Sequence, residues 1–216
     1  VNANTGSARL LNNGVFNLSG GQLNHAGEYF IVGNGGTGAF TQSGGALTST
    51  HRRGFFLSDG ATCLGSTFTL SGGTMNVTSS GVDSVDRRLR SVWLGKGGEN
   101  TVAADATGDT FLVTGGTATF TRTHATNLYD LIVSRNSSLQ VQGGTVSFDK
   151  YSEFRIGYGF NLDLGTTPSG ATNSNITVSG GTLNVTGGTN VRVGFADPGT
   201  ILVSAGAFNL SGILSI

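Results

Sequence analysis

Hydrophobic residues alternate with small polar residues in short segments that recur along the chain, and most of these segments meet at a Gly-Gly pair. The variants of this unit are VFNLSGGQLN (15–24), AFTQSGGALT (39–48), TFTLSGGTMNV (67–77), TFLVTGGTATF (110–120), SLQVQGGTVSF (138–148), NITVSGGTLNV (175–185) and AFNLSGILSI (207–216). A shorter apolar segment follows each of the first six copies, as YFIVG (29–33), FFLS (55–58), VWLG (92–95), LIVS (131–134), FRIG (154–157) and VRVG (191–194). Each unit therefore predicts a strand, a Gly-Gly turn, a second strand, a connection, a third strand and a further connection.

Alternation with a period of two assigns one side of each strand to the interior. In the first strand the inward column is Phe16, Phe40, Phe68, Phe111, Leu139, Ile176 and Phe208. In the second strand it is Leu23, Leu47, Met75, Ala118, Val146, Leu183 and Leu214. One unit cannot bury such a face, but units stacked on one another can. The pattern predicts an all-β protein, a parallel β-helix (β-solenoid) of about seven roughly triangular coils, with residues 1–216 as a single domain. An antiparallel sandwich is the alternative, because Gly-Gly also closes hairpins.

The amino-acid composition excludes several classes of protein but does not indicate a particular chemical activity. The 216 residues include 37 Gly, only 11% charged residues and a net charge of zero. A hydrophobic share of 37% argues against a disordered chain. The balanced charge gives no attraction to nucleic acid, and no apolar run is long enough for a membrane span. With one cysteine and no Cys/His cluster, we expect no disulfide, no metal and no cofactor.

Titratable residues collect in the connection between the second and third strands. This connection contains His25, His51, His124, Arg52, Arg53, Arg87, Arg88, Arg90 and Arg122. Stacked coils would bring them to one edge, as either a site for a polyanion or acidic glycan or an ordinary solvated edge balanced by carboxylates. Asp83 and Asp86 suggest the paired carboxylates of a glycan-cleaving enzyme, but the outward strand positions carry almost no titratable group. We therefore expect no catalytic residues and no enzyme.

Two further patterns concern the outer surface. Threonine and asparagine form parallel columns on the second strand, and Thr117 with Thr119 matches the paired threonines of ice-binding solenoids. Such columns also form where polar ladders hydrogen-bond coil to coil. On the third strand the alternation places Ile31, Phe56, Trp93 and Ile132 outward, which predicts an apolar stripe covered by loops or by lateral contact with another subunit.

The repeat units resemble those of a known family. FNLSGGQLN, FTQSGGALT and ITVSGGTLNV, each followed by a strand such as IVGNGG or VRVG, resemble the autotransporter-associated β-strand repeats of secreted bacterial surface proteins. The resemblance covers residues 8–216. It implies a β-helix located at the cell surface or outside the cell, and it carries over no catalytic residues. No signal peptide is visible in this chain.

The ends of the repeat pattern suggest how copies associate. Ser7–Leu11 is predicted to be a lone third strand, and 207–216 the first two strands of an unfinished coil. A head-to-tail contact would then complete the coil, through an interface that includes Ala8, Arg9, Leu10, Leu11, Phe208, Leu210, Leu214 and Ile216. Contacts of this type do not close and so propagate as a filament. The sequence favours an extracellular structural protein, a fibre subunit whose partner is itself. The alternatives are an adhesin or module that binds surface glycans and, less favoured, an ice-binding protein or a polysaccharide-cleaving enzyme.

Overall fold

The fold is seen in a computed structural model that describes residues 2–11, 13–60, 62–80, 91–96, 108–124, 129–157, 173–194 and 198–216. Parallel strands joined in one sheet make up the regular structure of these residues. No helix that could span a membrane occurs among them.

Three ladders of parallel strands run the length of the stack, one on each face. The first face consists of β2 (Val15–Leu18), β4 (Ala39–Gln42), β7 (Thr67–Leu70), β10 (Thr110–Val113), β13 (Ser138–Val141) and the first parts of β16 (Ser174–Thr186) and β18 (Gly199–Leu210). The second face consists of the first parts of β1 (Asn2–Leu11) and β3 (Gln22–Asn34), then β5 (Ala46–His51), β8 (Thr74–Ser79), β11 (Thr117–Arg122), β14 (Thr145–Asp149) and the second parts of β16 and β18. The third face consists of the later parts of β1 and β3, then β6 (Phe55–Asp59), β9 (Val92–Leu94), β12 (Asp130–Val133), β15 (Glu153–Ile156), β17 (Asn190–Val193) and β19 (Leu214–Ser215). The predicted parallel β-helix is confirmed.

The interior is a continuous stack of like side chains. Phe40 pairs in register with Phe16 on one side and Phe68 on the other, with ring centroids 5.0 and 4.6 Å apart. Phe111 continues the column at 4.9 Å from Phe68. Parallel, in-register pairing places equivalent residues one strand spacing apart, which suits stacked aromatic rings. This column is the one that period-two alternation predicts.

Glycine at the first corner of most coils fits the closeness of adjacent coils as well as the backbone conformation, and the last coil has Ala205 in the equivalent place, where the pairing with β16 shifts register. Gly73 has a φ of +78°, and a Cβ there would lie less than 3 Å from the carbonyl oxygen of Gly45 in the preceding coil. The residue before it, Gly72, has no positive φ, but its Cβ would lie 2.5 Å from the oxygen of Ser43. The Gly-Gly pair therefore makes a tight turn and also leaves room for the neighbouring backbone.

The last coil is complete, and the sequence-based register of 207–216 is wrong. Phe208 pairs with Leu183 and Leu210 with Val185, so both lie on the second face. Ile201 takes the first-face position above Ile176, and Leu214 pairs with Val191 on the third face. The physical reason is that the corner is Ala205-Gly206 rather than Gly-Gly, so ILVSAGAFNL (201–210) is the true counterpart of ITVSGGTLNV (176–185).

At the other end, β1 is longer than the predicted lone third strand. Its first part pairs with the second face at Asn24–Gly27, and its later part pairs with the third face at Phe30–Asn34. The strand that is not present beside β2 is therefore a first-face strand. Head-to-tail stacking of two copies would continue the second and third faces but leave a gap one strand wide on the first.

Candidate functional site

Polar side chains are buried in successive coils at the corner between the second and third faces. His51 Nδ1 lies 3.0 Å from the carbonyl oxygen of Arg53, and its Nε2 lies 3.3 Å from Ser79 Oγ. Ser79 Oγ is in turn 3.3 Å from the Tyr151 hydroxyl. Burial lowers the pKa of His51 to about 4, so the imidazole is neutral. With Nδ1–H donating to the carbonyl, Nε2 accepts from Ser79, and Tyr151 can donate to Ser79.

His25 is part of the same buried corner one coil earlier. Its Nδ1 lies 2.9 Å from Ser49 Oγ, and burial lowers its pKa as well. His25 is 2% exposed and His51 fully buried. The expectation that the histidines share an exposed edge is therefore wrong for these two, because the alternation Leu23-His25 and Leu47-Ser49-His51 points them inward.

The described arginines at this corner have partners within the chain. Arg53 donates to the Tyr29 hydroxyl at 3.2 Å and lies 3.8 Å from Glu28, while Arg122 donates to Ser152 at 3.2 Å. Arg52 is exposed. Of the other predicted members of the polyanion site and of the carboxylate pair, His124 is half-buried, and Asp83, Asp86, Arg87, Arg88 and Arg90 lie outside the described residues. The described part of the corner therefore contains no cluster of exposed cations that would define a polyanion site.

The predicted apolar column outside the third face exists, but it is buried within the chain. Ile31, Phe56, Trp93 and Ile132 pair in register, form a cluster separate from the main core, and are each at most 1% exposed. Tyr29 packs on this cluster, the Lys96 ammonium lies 5.1 Å from the Phe56 ring centroid, and Trp93 Nε1–H donates to Ser134 at 2.9 Å. These four residues are buried in the single chain, so they offer almost no exposed surface for lateral contact between subunits.

Beyond Ile132 the same outer column becomes charged. Arg155 pairs in register with Ile132 and Arg192 with Arg155. Arg155 lies 2.9 Å from Glu153 and 3.5 Å from Asp130, and Arg192 lies 3.0 Å from Glu153. The Arg155–Glu153 pair lies within one strand, whereas the Arg155–Asp130 and Arg192–Glu153 pairs link neighbouring coils.

Polar groups on the second face also join coil to coil. Asn209 Nδ2 donates to Asn184 Oδ1 at 2.9 Å, and Asn184 Nδ2 donates to Ser147 Oγ at 3.2 Å. Thr74, Thr117, Thr145 and Thr182 follow one another in the adjacent column. The amide column is a hydrogen-bonded ladder, as expected for an exposed sheet built from repeats.

Apolar surface and strand edges are open at both ends of the described stack. A cavity of about 220 Å³ lies at the first coil, lined by Ala8, Arg9, Leu10, Phe16, Leu23, His25, Phe30, Ile31 and Phe40. One of about 390 Å³ lies at the last coil, lined by Val193, Gly199, Thr200, Ile201, Val203, Phe208, Leu214 and Ile216. Leu11, Leu214 and Ile216 are exposed by 53%, 48% and 98%, and Leu210 is half-buried. Most of the predicted interface residues therefore lie at these open ends, although Phe208, Leu210 and Leu214 occupy different faces from those expected.

The described residues hold no group of three or more His, Cys, Asp or Glu side chains that could bind a metal ion. Several of their buried polar groups, such as His25 with Ser49 and His51 with Ser79, hydrogen-bond between coils, and the end coils present strand edges and apolar cavities. The fold makes this chain a parallel β-solenoid repeat protein. No protein-family model, curated protein or solved structure matches it.

Proposed function

We propose that this chain is a structural protein, a β-solenoid subunit that joins other copies head to tail to form an extracellular filament. The single observation that carries the proposal is that both end coils present strand edges without a partner among the described strands, each beside an apolar cavity. Open edges of this kind are templates for pairing with another chain. The resemblance to surface-protein repeats supports the extracellular location.

The chemistry of the end coils supports association. In the last coil the inward side chains Val203 and Leu214 are 46% and 48% exposed, whereas Val178 and Val191, their equivalents one coil earlier, are fully buried. A second copy that covers Leu214 removes apolar surface from water, and backbone pairing along the second and third faces satisfies the open edges there at the same time. Arg9 is the one charged residue among those lining the two end cavities, so charge repulsion there is small.

The outer faces and the interior suit a durable rod. Backbone pairing joins the coils along three faces, the interior is an aromatic and aliphatic column, and ion pairs such as Asp130–Arg155 and Glu153–Arg192 join neighbouring coils. The proposal includes no catalysis and no cofactor.

Sedimentation velocity with a matched pair of variants tests the proposal. Leu214 lies on the third face, which the joint continues, and it lines the end cavity, whereas its exposed neighbour Ser215 pairs with Arg192 in the outward column. Leu214→Asp would place a charge in the joint and should shift the protein from polymers to monomers, while Ser215→Asp should leave polymer size unchanged. If wild type sediments as a monomer at high concentration, the filament is wrong and the adhesin becomes the better hypothesis.

A further inference from the structure

One strand position on the first face is open at the start of the stack. β1 provides the second and third faces of the coil before β2, but no described strand pairs with the outer edge of β2. Every later first-face strand has its counterpart from the preceding coil in this position. The chain therefore contains six examples of a strand that occupies the equivalent position beside a first-face strand.

The backbone groups of β2 are oriented to receive a partner. Ala39 N–H in β4 donates to the carbonyl oxygen of Gly14 in the preceding coil at 2.9 Å, and Ala39 is in register with Val15. In a parallel ladder, alternate residues direct their N–H and C=O groups to opposite neighbours. By equivalence with Ala39, Val15 and Asn17 direct their N–H groups to the open edge.

The side chains beside this edge leave an apolar space. The cavity of about 220 Å³ is bordered by Phe16 and Leu23 of the first coil and by Ala8 and Leu10 of β1. In the interior of the stack, Phe40 has Phe16 on one side and Phe68 on the other, whereas Phe16 has a ring neighbour on one side only. An aromatic side chain in the open strand would complete the column.

The first corner of this coil is open in the same way. A Cβ on Gly44, Gly72 or Gly115 would lie 2.5 Å from a carbonyl oxygen of the preceding coil, which explains glycine at each. Gly20 occupies the equivalent position, has no positive φ, and a Cβ there would meet nothing within 4 Å. Within the described chain nothing requires glycine at this position. Glycine there keeps open the space that another coil's corner would occupy.

We propose that the free edge of β2 binds one further parallel β-strand of this chain's own first-strand type, with large apolar side chains at alternate positions followed by Ser-Gly-Gly. The strand pairs with Val15 and Asn17, directs its apolar side chains into the cavity, and packs its Gly-Gly corner on Gly20 and Gly21. Every described first-face strand already has its place in the stack, so the added strand is a segment other than these. Within the proposed filament it fills the first-face gap at each joint, and to that extent the inference rests on the proposed function. The open edge of β2 is a feature of one copy and does not depend on the filament.

Fluorescence anisotropy with a labelled peptide of residues 67–74, Thr-Phe-Thr-Leu-Ser-Gly-Gly-Thr, tests the inference on the whole chain. We expect saturable binding. A control peptide of the same composition, Phe-Thr-Leu-Thr-Ser-Gly-Gly-Thr, moves the apolar residues to the outward positions and should not bind, because a shift of one residue reverses the faces of a strand. Equal binding of the two peptides, or binding of neither, overturns the proposal.

Two variants locate the peptide without disturbing the fold. Gly20→Ala introduces a Cβ that has no contact in the chain but would collide with a docked corner. Asn17→Pro removes an N–H from the open edge and leaves the ladder between β2 and β4 intact. Each should weaken binding by at least about tenfold with an unchanged thermal midpoint. Asn17→Ala, which keeps the N–H, should bind as wild type does. Unchanged affinity in both Gly20→Ala and Asn17→Pro overturns the proposed location.

The failures of the two proposals are distinguishable. If the chain binds the peptide but sediments as a monomer, the strand site is supported and the filament proposal is wrong. If the chain forms filaments but does not bind the peptide, the filament is supported and the strand-site proposal is wrong.

Discussion

Replacing Gly73 by alanine tests the close contact between adjacent coils at the first corner. Gly73 and Gly65 flank the same strand, β7, and both have positive φ, +78° and +71°. A Cβ on Gly73 would lie less than 3 Å from the backbone of Gly44 and Gly45, whereas a Cβ on Gly65 would meet nothing within 4 Å. The pair therefore separates conformational strain from collision with the neighbouring coil.

The expected magnitudes follow from these two environments. An alanine in the left-handed region costs about 1–2 kcal/mol, and this cost applies to both variants. Forcing a methyl group into a filled site adds about 1–3 kcal/mol, and this cost applies to Gly73→Ala alone. We expect Gly65→Ala to lose about 1–2 kcal/mol of unfolding free energy and Gly73→Ala about 2–5 kcal/mol.

Urea unfolding followed by circular dichroism measures the difference, since both variants affect the same strand. Both proteins should keep the strand signal of the wild type in the absence of urea. Equal losses of stability would refute the reasoning, because they would mean that the corner does not pack on its neighbour as described.

Three other predictions concern buried side chains. Phe68→Asp buries an unpaired charge in the aromatic column and should abolish the folded strand signal, while Thr69→Asp on the outer side should retain it; a normal melting curve for Phe68→Asp would contradict the inward assignment. His51 has a pKa of about 4 in the fold against an ordinary 6.5. The free energy of unfolding should therefore fall by up to about 3 kcal/mol as the pH drops from above 6.5 towards 4. Urea titrations at several pH values should show a flatter dependence for His51→Gln. Trp93 should show blue-shifted emission that acrylamide quenches poorly, even in monomers; a red-shifted, easily quenched emission would contradict its burial.

The repeat pattern predicted the fold because the same steric constraints act on every coil. Phe16, Phe40, Phe68 and Phe111 recur at one position since stacking places identical positions in contact, and the Gly-Gly corner recurs since adjacent backbones approach closely there. These constraints are local to one repeat and its neighbour, so the sequence displays them directly.

The register of the last coil differs from the predicted one because two features of its sequence conflict. AFNLSG at 207–212 has the composition of a first strand with half of a Gly-Gly corner, but Ala205-Gly206 is the actual corner. The preceding ILV segment at 201–203 matches the ITV of 176–178, and comparing the two would have given the correct register.

Burial of side chains on the outside of the third face was not predictable from periodicity. Alternation correctly placed Trp93 and Phe56 opposite the main core, but it contains no information about which non-repeating parts of the chain cover them. The inward direction of His25 and His51, by contrast, follows from extending the alternation of the second strand by two to four residues. The prediction differs for His25 and His51 because it ends the second strand before them and places them in the connection.

Electron cryomicroscopy of the concentrated chain tests the central claim, that the end coils join to continue the solenoid. The third face contributes eight strands per subunit, β1, β3, β6, β9, β12, β15, β17 and β19, at about 4.8 Å each. The account predicts unbranched filaments one solenoid wide with a subunit repeat of about 38 Å along the axis. Dispersed single solenoids at high concentration, or assemblies joined side by side with free ends, would contradict it.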